Sequence, residues 1–225
     1  MSLTEDVIRK IKYKILCGEY TPGEHLPTLR EMADIFEVSR SVINAAVVEL
    51  ETDGYIKVVP TKWIEVADWE EEGNLSILSD LIDFDIMKRT QLESLLQSRL
   101  FMEQECVRLA CKNAAPEDVA KLKALVITES AEKRPEKRAK YDIRFHSLIG
   151  RMSGNFIYAM IINSFSESGF KLIEKFYDDD QVMSFVSDMH GGICEAIENR
   201  DEKSAVEKLR QLLEHGEKII YTKIK

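Results

Sequence analysis

The sequence lacks any apolar run of about 18 residues, which is the length that a membrane-spanning helix needs. Its first ten residues include four charged side chains, which argues against a signal peptide. Its four cysteines include no C-x-x-C pair, so we expect reduced thiols rather than a disulfide framework. From these absences we predict a cytoplasmic protein without membrane contact.

The stretch from 25 to 59 carries two short helical patterns separated by a tight turn. Thr28, with Glu31 three residues later, forms a capping box at the start of the first helix. Ser39 is a favourable N-cap for the second helix, which should end at Asp53-Gly54. This spacing predicts a helix-turn-helix.

Two strand patterns follow, at 55–59 and 63–66, around a turn at 60–62. A further helical pattern over 4–16 precedes the helix-turn-helix. Together these elements predict a winged helix-turn-helix domain over residues 1–66. Such a unit lays its second helix in the major groove of DNA.

Many positions of this region resemble, in order and spacing, the amino-terminal domain of GntR-family transcription regulators. They are Pro22-Gly23, Leu26-Pro27, Leu29-Arg30-Glu31, Ala33, Val38-Ser39-Arg40, Val42, Leu50 and Gly54-Tyr55-Ile56. The positions that the resemblance implies as DNA contacts are Arg30, Ser39, Arg40, Ser41 and Val42. Asn44 stands where the family usually has an Arg, and Asn can pair with adenine. Without the motif, Arg30 and Arg40 would be ordinary surface charges.

The formal net charge is −9, and residues 1–66 contain eight Lys/Arg against eleven Asp/Glu. That balance is unusual for a protein that binds phosphates. Contact with DNA therefore depends on where the few cations lie, and Arg30, Arg40, Lys57 and Lys62 fall on the helix-turn-helix and the wing. We expect a modest, strongly salt-dependent affinity for double-stranded operator DNA that requires a homodimer.

An acidic stretch at 67–74 is the predicted linker, and no strand pattern follows it. The predicted helices lie at 75–87, 91–113, 116–132, 136–152, 155–176, 180–199 and 202–222. The fold class is thus mainly α, with an all-α helical bundle over 75–225 as a ligand-sensing and dimerisation domain.

One carboxylate and three imidazoles stand out in the predicted bundle. Asp142 and His146 are four residues apart and share one helix face, while His190 and His215 have apolar neighbours on two later helices. Such a set could bind a first-row divalent metal. The alternative is that these histidines are core residues hydrogen-bonded to their neighbours, because spacing does not show that they meet.

Residues 75 to about 221 resemble the FCD ligand-sensing domain of the FadR subfamily of GntR regulators. The resemblance matches Asp142, His146, His190 and His215 to that domain's metal ligands, and Arg99 to an arginine that binds a ligand carboxylate. It implies a divalent metal, zinc or nickel, and a small carboxylate effector. The stretches at 60–81 and 153–165 also resemble a fatty-acid-responsive member whose sensing domain lacks the metal ligands.

We therefore predict a DNA-binding transcription regulator, a repressor, that is controlled by a small organic acid bound at the metal. The linker at 67–74 is the predicted hinge. We predict no enzyme, although a metal-dependent enzyme, a fatty acyl-responsive regulator without functional metal, and a purely structural metal are alternatives.

Overall fold

A computed structural model describes residues 2–60, 62–177 and 179–223, with all of their side chains except those of 165–168, 171, 172, 175, 180 and 223. The chain divides into two compact units, Met1–Met87 and Lys88–Lys225. In the described part of the chain, no helix is both long enough and apolar enough to cross a membrane.

The first unit is a winged helix-turn-helix. Its elements are α1 (Leu3–Leu16), α2 (Leu29–Ile35), α3 (Arg40–Thr52), β1 (Ile56–Val59), β2 (Trp63–Val66), α4 (Trp69–Glu72) and α5 (Ser76–Asp83). The capping box of Thr28 and Glu31 forms at the start of α2 as predicted. Ser39 caps α3 by accepting a hydrogen bond from the Val42 N–H. The core of this unit includes Ile11, Ile43 and Leu50.

The wing is an antiparallel pair in which Ile56 lies opposite Val66 and Val59 opposite Trp63. The loop before α2 pairs with the free edge of β2, since the Leu26 N–H donates to the Ile64 carbonyl at 2.9 Å. The His25 ring also stacks on the Trp63 ring, with 4.7 Å between their centroids. This loop therefore holds the wing in place.

The segment 67–74, predicted as a linker, lies inside the first unit. Ala67 is buried, and Trp69 packs against the core of the unit. The Asn74 side chain donates to the Asp53 carbonyl at 3.3 Å. The division between the units comes later, after Met87. Composition indicated a linker because the acids of this segment lie on the exposed face of the short helix α4.

A buried ionic cluster fixes α5 within the first unit. Lys12 Nζ lies 2.7 Å from Asp53 Oδ2 and 3.1 Å from Asp80 Oδ2. The Tyr55 hydroxyl donates to the same Asp80 oxygen at 2.7 Å. Burial lowers the pKa of Lys12, but the two carboxylates outweigh this effect and the pKa is raised.

The second unit is a helical bundle, as predicted. Its helices are α6 (Arg89–Asn113), α7 (Pro116–Ala131), α8 (Pro135–Met152), α9 (Phe156–Phe176), α10 (Asp180–Glu198) and α11 (Glu202–Lys223). Pro116 and Pro135 occupy first helical positions, where a missing N–H costs nothing. The core gathers apolar side chains such as Phe145, Ile193 and Leu209. Of the seven predicted helices, the one at 75–87 belongs to the first unit.

Candidate functional site

Three of the four predicted metal ligands meet in the second unit. Asp142 and His146 lie one turn apart on α8, and His190 comes from α10; their ligand atoms lie within 4.8 Å of one another. Asp142 Oδ1 is 3.8 Å from His146 Nε2 and 3.7 Å from His190 Nε2. All three side chains are buried.

His215, the fourth predicted ligand, is not part of this group. It is half-buried on α11, and its ring packs against the Phe185 ring of α10 with 4.2 Å between their centroids. Sequence spacing placed His215 on an apolar face of its helix but could not tell which neighbouring helix that face contacts.

His190 is held from two sides. Its Nδ1 lies 2.7 Å from Glu129 Oε2, and its ring stacks on Phe145 with a centroid distance of 3.7 Å. Its Nε2 is buried and has no hydrogen-bond partner among the described residues. A buried polar atom of this kind is rare unless something binds it.

His146 contacts Glu103 through Nδ1. The Arg99 Nε donates to the other oxygen of Glu103 at 2.5 Å. Burial alone would raise the pKa of Glu103, but Arg99 and His146 outweigh it and lower the pKa to about 2. Glu103 is therefore an ionised carboxylate within a buried chain of three polar groups.

Asp142 is oriented by Tyr177, whose hydroxyl donates to Asp142 Oδ1 at 2.8 Å. Burial and the Asp142 carboxylate raise the pKa of Tyr177 well above its ordinary value, so it remains a donor. Arg138, also buried, lies 5.3 Å from the Tyr177 ring centroid and donates to the Glu129 and Met183 carbonyls.

The donor set suits a divalent metal. Two imidazole nitrogens and one carboxylate oxygen are typical ligands of zinc and related ions, and three protein ligands leave a coordination position open. Ligand atoms of a tetrahedral zinc lie roughly 3.3 Å apart, given the usual bond lengths. The two distances from Asp142 to the imidazoles, 3.7 and 3.8 Å, need only a small contraction, and all three ligand atoms lie within 4.8 Å of one another. The lone Nε2 of His190 would gain a partner.

Two adjoining cavities, of ≈ 40 and ≈ 50 Å³, reach this group. Both are lined by Arg99, Asp142 and His146, and otherwise mainly by apolar side chains such as Leu96 and Ile173. The arginine that the sequence predicts as the effector contact thus lines the same space as two of the predicted metal ligands. Burial lowers its pKa, but Glu103 and Asp142 more than offset this and raise the pKa.

In the first unit, the predicted DNA contacts at the start of α3 differ in availability. Arg40 and Asn44 are exposed one turn apart on α3, and Ser41 is also exposed. The Ser39 hydroxyl serves as the helix cap and lies 2.8 Å from that of Ser41. Val42 is half-buried against the core, so packing occupies much of its side chain.

The remaining predicted contacts lie on α2 and the wing. Arg30, like Arg40, is exposed and has no ion pair with a described residue. Lys57, by contrast, pairs with Glu72, with 2.5 Å between Nζ and Oε2. Lys62 Nζ lies 5.4 Å from the Trp63 ring centroid, at the tip of the hairpin.

Comparison with known families agrees with this architecture. Residues 3–66 match the model of bacterial regulatory proteins of the gntR family, and residues 94–215, more than half of the chain, match the FCD domain. The chain belongs to the GntR family and carries an FCD domain. The resemblance to GntR-family regulators with an FCD domain is thereby confirmed.

Curated relatives of this GntR-family chain are named as regulators. The "Uxu operon transcriptional regulator" of Escherichia coli (strain K12) is 28% identical over 73% of this chain and 62% of its own length. The "Fatty acid metabolism regulator protein" of Shewanella sp. (strain MR-4) is 28% identical over 66% of this chain and 61% of its length. The "HTH-type transcriptional repressor NanR" of Klebsiella aerogenes is 28% identical over 69% and 60%. The match spans about three fifths of each relative.

Solved structures support the fold. A structure described as "Lar controls the expression of the Listeria monocytogenes agr system and mediates virulence" aligns with a TM-score of 0.71 over 99% of this chain and 98% of that chain, at 17% identity. The "E. coli McbR/YncC" structure aligns with a TM-score of 0.56 over 100% of both chains, also at 17% identity. The mainly α fold class, with a small wing, is confirmed.

The sequence analysis missed Glu129, Arg138 and Tyr177. Glu129 continues the buried stripe of Leu122, Leu125 and Val126 along α7. A carboxylate on an apolar stripe is a signal that could have identified it, because charged groups are rarely buried without a partner. No signal in the sequence links Glu129 to His190, 61 positions further along the chain.

Proposed function

We propose that this chain is a DNA-binding transcription regulator whose FCD domain holds a divalent metal and binds a small carboxylate there. The exposed Arg30, Arg40 and Asn44 would contact operator DNA, one recognition helix per half-site of a pseudo-palindrome, so the working form is a homodimer. Membership of the GntR family and relatives named as transcriptional regulators support this role.

The observation that supports metal control is the Nε2 of His190, which has no hydrogen-bond partner in the described part of the chain and faces Asp142 Oδ1 beside His146. Asp142, His146 and His190 would hold the ion. A bound divalent cation would supply positive charge and an open coordination position for a carboxylate oxygen. Zinc and nickel both suit imidazole-rich sets.

Charge balance favours an anionic effector. In formal charge, Arg99 offsets Glu103 and the buried Arg138 offsets the buried Glu129, which leaves Asp142 as the charged protein ligand. A divalent ion there would give the buried group a net positive charge. A monocarboxylate neutralises that charge, and Arg99, which lines the cavity, can donate to its second oxygen.

Cavity size favours a small acid over an acyl chain. The two cavities, of ≈ 40 and ≈ 50 Å³, have room for a few water molecules or a few heavy atoms. The fatty acyl-responsive alternative is suggested by the relatives named as fatty acid metabolism regulators. It would require the helices around Ile173 and Leu212 to move apart.

Ligand can change DNA affinity only by binding two arrangements of the protein unequally. The chain passes between its two units near Phe84 to Lys88, and Asp85 there has a φ of 57°. We place the hinge at this segment rather than at 67–74, because the latter is fixed within the first unit. In the proposed repressor, the carboxylate releases DNA.

The test is DNA binding by the full-length protein. Binding sites are selected from random duplexes, and affinity is then measured with zinc, with and without a series of small monocarboxylates. We expect a carboxylate-dependent loss of affinity in wild type that His190→Ala abolishes while leaving DNA binding without carboxylate intact. Glu117→Leu, at an exposed position of the bundle that is not among the metal ligands, is the control.

A carboxylate response that persists in His190→Ala would reject the metal-linked effector. A response to long-chain acyl compounds alone would favour the acyl alternative. Chemical turnover of the acid by the zinc-loaded protein would favour a metalloenzyme. Three protein ligands and an open coordination position would permit such chemistry.

A further inference from the structure

Each of the two buried imidazoles contacts a carboxylate that is not among the metal ligands. His146 Nδ1 contacts Glu103 of α6, and His190 Nδ1 lies 2.7 Å from Glu129 of α7. In both rings the other nitrogen, Nε2, faces Asp142. The two glutamates therefore lie on the opposite side of each imidazole from Asp142.

A neutral imidazole carries its proton on one nitrogen only, so a carboxylate at Nδ1 determines which nitrogen is free. If Nδ1 donates to the carboxylate, the Nε2 lone pair points at Asp142 and can bind a cation. If the proton sits on Nε2, that nitrogen cannot coordinate. Partners of this kind fix the orientation and basicity of metal-binding histidines.

The two glutamates differ in their other contacts. Glu103 also accepts a hydrogen bond from Arg99, the arginine that lines the cavity. Glu129 is fully buried, and its Oε2 contacts His190 while its Oε1 has no hydrogen-bond partner among the described residues. The role of Glu129 is thus confined to His190.

The backbone around Glu129 is held in place. The buried Arg138 donates to the Glu129 carbonyl at 2.6 Å and to the Met183 carbonyl at 2.5 Å. It also donates to the Ser187 hydroxyl, one turn before His190 on α10. The same side chain therefore connects the end of α7 to the helix that carries His190, and it fixes the distance across which Glu129 reaches the imidazole.

We propose that Glu129 is a positioning residue for His190: it accepts a hydrogen bond from Nδ1–H and so keeps the Nε2 lone pair directed at the metal position. The tautomer can be tested without metal, whereas the effect on metal affinity rests on the proposed function.

The tautomer is measured by long-range ¹H–¹⁵N correlation spectra of the imidazoles in the metal-free, full-length protein, with His190 assigned from the His190→Gln spectrum. We expect protonated Nδ1 and unprotonated Nε2 in wild type. Glu129→Gln should keep this tautomer, because the amide oxygen accepts the same hydrogen bond. Glu129→Leu should shift His190 toward protonated Nε2. Protonated Nε2 in the wild type would overturn the proposal, and this result needs no variant to fold.

Zinc affinity is then measured by competition with a chromophoric chelator. We expect Glu129→Leu to weaken zinc binding about 10- to 100-fold, with Glu129→Gln closer to wild type. Glu117→Leu, an exposed acid on the same helix, should leave the affinity unchanged. A circular dichroism spectrum and thermal melt of each metal-free variant control for folding.

The two proposals fail in different ways. A wild type that binds no zinc contradicts the proposed function, while the imidazole spectra still test the role of Glu129. A wild type that binds zinc, with Glu129→Leu folded and equally tight, overturns the inference alone. An equal loss in Glu129→Gln and Glu129→Leu would also overturn it, because the hydrogen-bond acceptor would then be irrelevant.

Discussion

Each unit of this protein buries one cluster of charged and polar side chains, and the two clusters differ in what they leave unpaired. In the first unit, Lys12 contacts both Asp53 and Asp80, and Tyr55 donates to Asp80. In the second unit, the groups around Asp142 are more deeply buried, but His190 Nε2 has no hydrogen-bond partner among the described residues. The first cluster stabilises a fold; the second offers a nitrogen that the proposed metal would bind.

This difference between the two clusters has an energetic consequence. A buried polar group without a partner costs about 1–3 kcal/mol, whereas a satisfied one is close to neutral. The second unit carries this cost at a position where two nitrogens and a carboxylate oxygen converge. A ligand that satisfies Nε2 would recover it. Lys12 has no comparable deficit, so we expect no ligand at its cluster.

The largest expected effect concerns the two histidines that the sequence treated as equivalent. His190→Ala should weaken zinc binding by more than about 100-fold, the upper figure for loss of an outer partner. His215→Ala should have a smaller effect, because its ring contacts Phe185 rather than the ligand group. Chelator competition measures both. Equal losses would mean that α11 brings His215 to the metal on binding.

The second prediction concerns the ionic cluster around Lys12 in the first unit. Lys12→Met should lower the free energy of unfolding of the first unit by about 3 kcal/mol, because two half-buried carboxylates lose a buried cation. Both tryptophans, Trp63 and Trp69, belong to this unit, so tryptophan fluorescence in denaturant reports on it alone. Lys10→Met, an exposed lysine paired with Asp6, is the control and should change little. Unchanged zinc affinity in Lys12→Met would show that the clusters are independent.

The same cluster predicts how stability depends on pH. The pKa values of Lys12 and Tyr55 are both raised in the folded protein, Lys12 by its two carboxylates despite burial, and Tyr55 by burial and Asp80. The folded state therefore retains protons that the unfolded chain releases above about pH 10. The stabilising contribution of these groups should be fully present and independent of pH below that pH, and it should be lost above it. Tryptophan-monitored unfolding from pH 8 to 11 should show a shallower fall in Lys12→Met; an identical fall would contradict the assignment.

The smallest contrast compares a free cation with a paired one on the DNA-binding unit. Arg40→Ala should weaken operator binding about tenfold or more, since its exposed side chain has no ion pair with a described residue. Lys57→Ala should weaken it less, because Lys57 already pairs with Glu72. Fluorescence anisotropy at several salt concentrations measures both. A larger loss in Lys57→Ala would show that DNA displaces Glu72.

Local sequence signals predicted the helices well because caps and prolines act within one turn. Thr28 with Glu31 and Ser39 marked helix starts, and Pro116 and Pro135 marked two more. The pairing of Asp142 with His146 was equally local, since residues four apart on a helix share a face.

Tertiary contacts between distant residues were not predictable in this way. The contact of Glu129 with His190 depends on how α7 packs beside α10. The contacts of His215 depend on which helix α11 faces at that position. The acidic run at 70–72 looked like a linker because composition does not reveal that Trp69 packs into a core. Family resemblance supplied the ligand set, but the structure decides which members meet.

Metal content per chain, on protein purified without chelator or nickel resin, tests the central claim most directly. We expect about one divalent ion per wild-type chain and close to none in a folded His190→Ala variant. A wild type without metal that also fails to take up added zinc or nickel would contradict it. Asp142, His146 and His190 would then be a buried polar group of the core, with one nitrogen left unpaired.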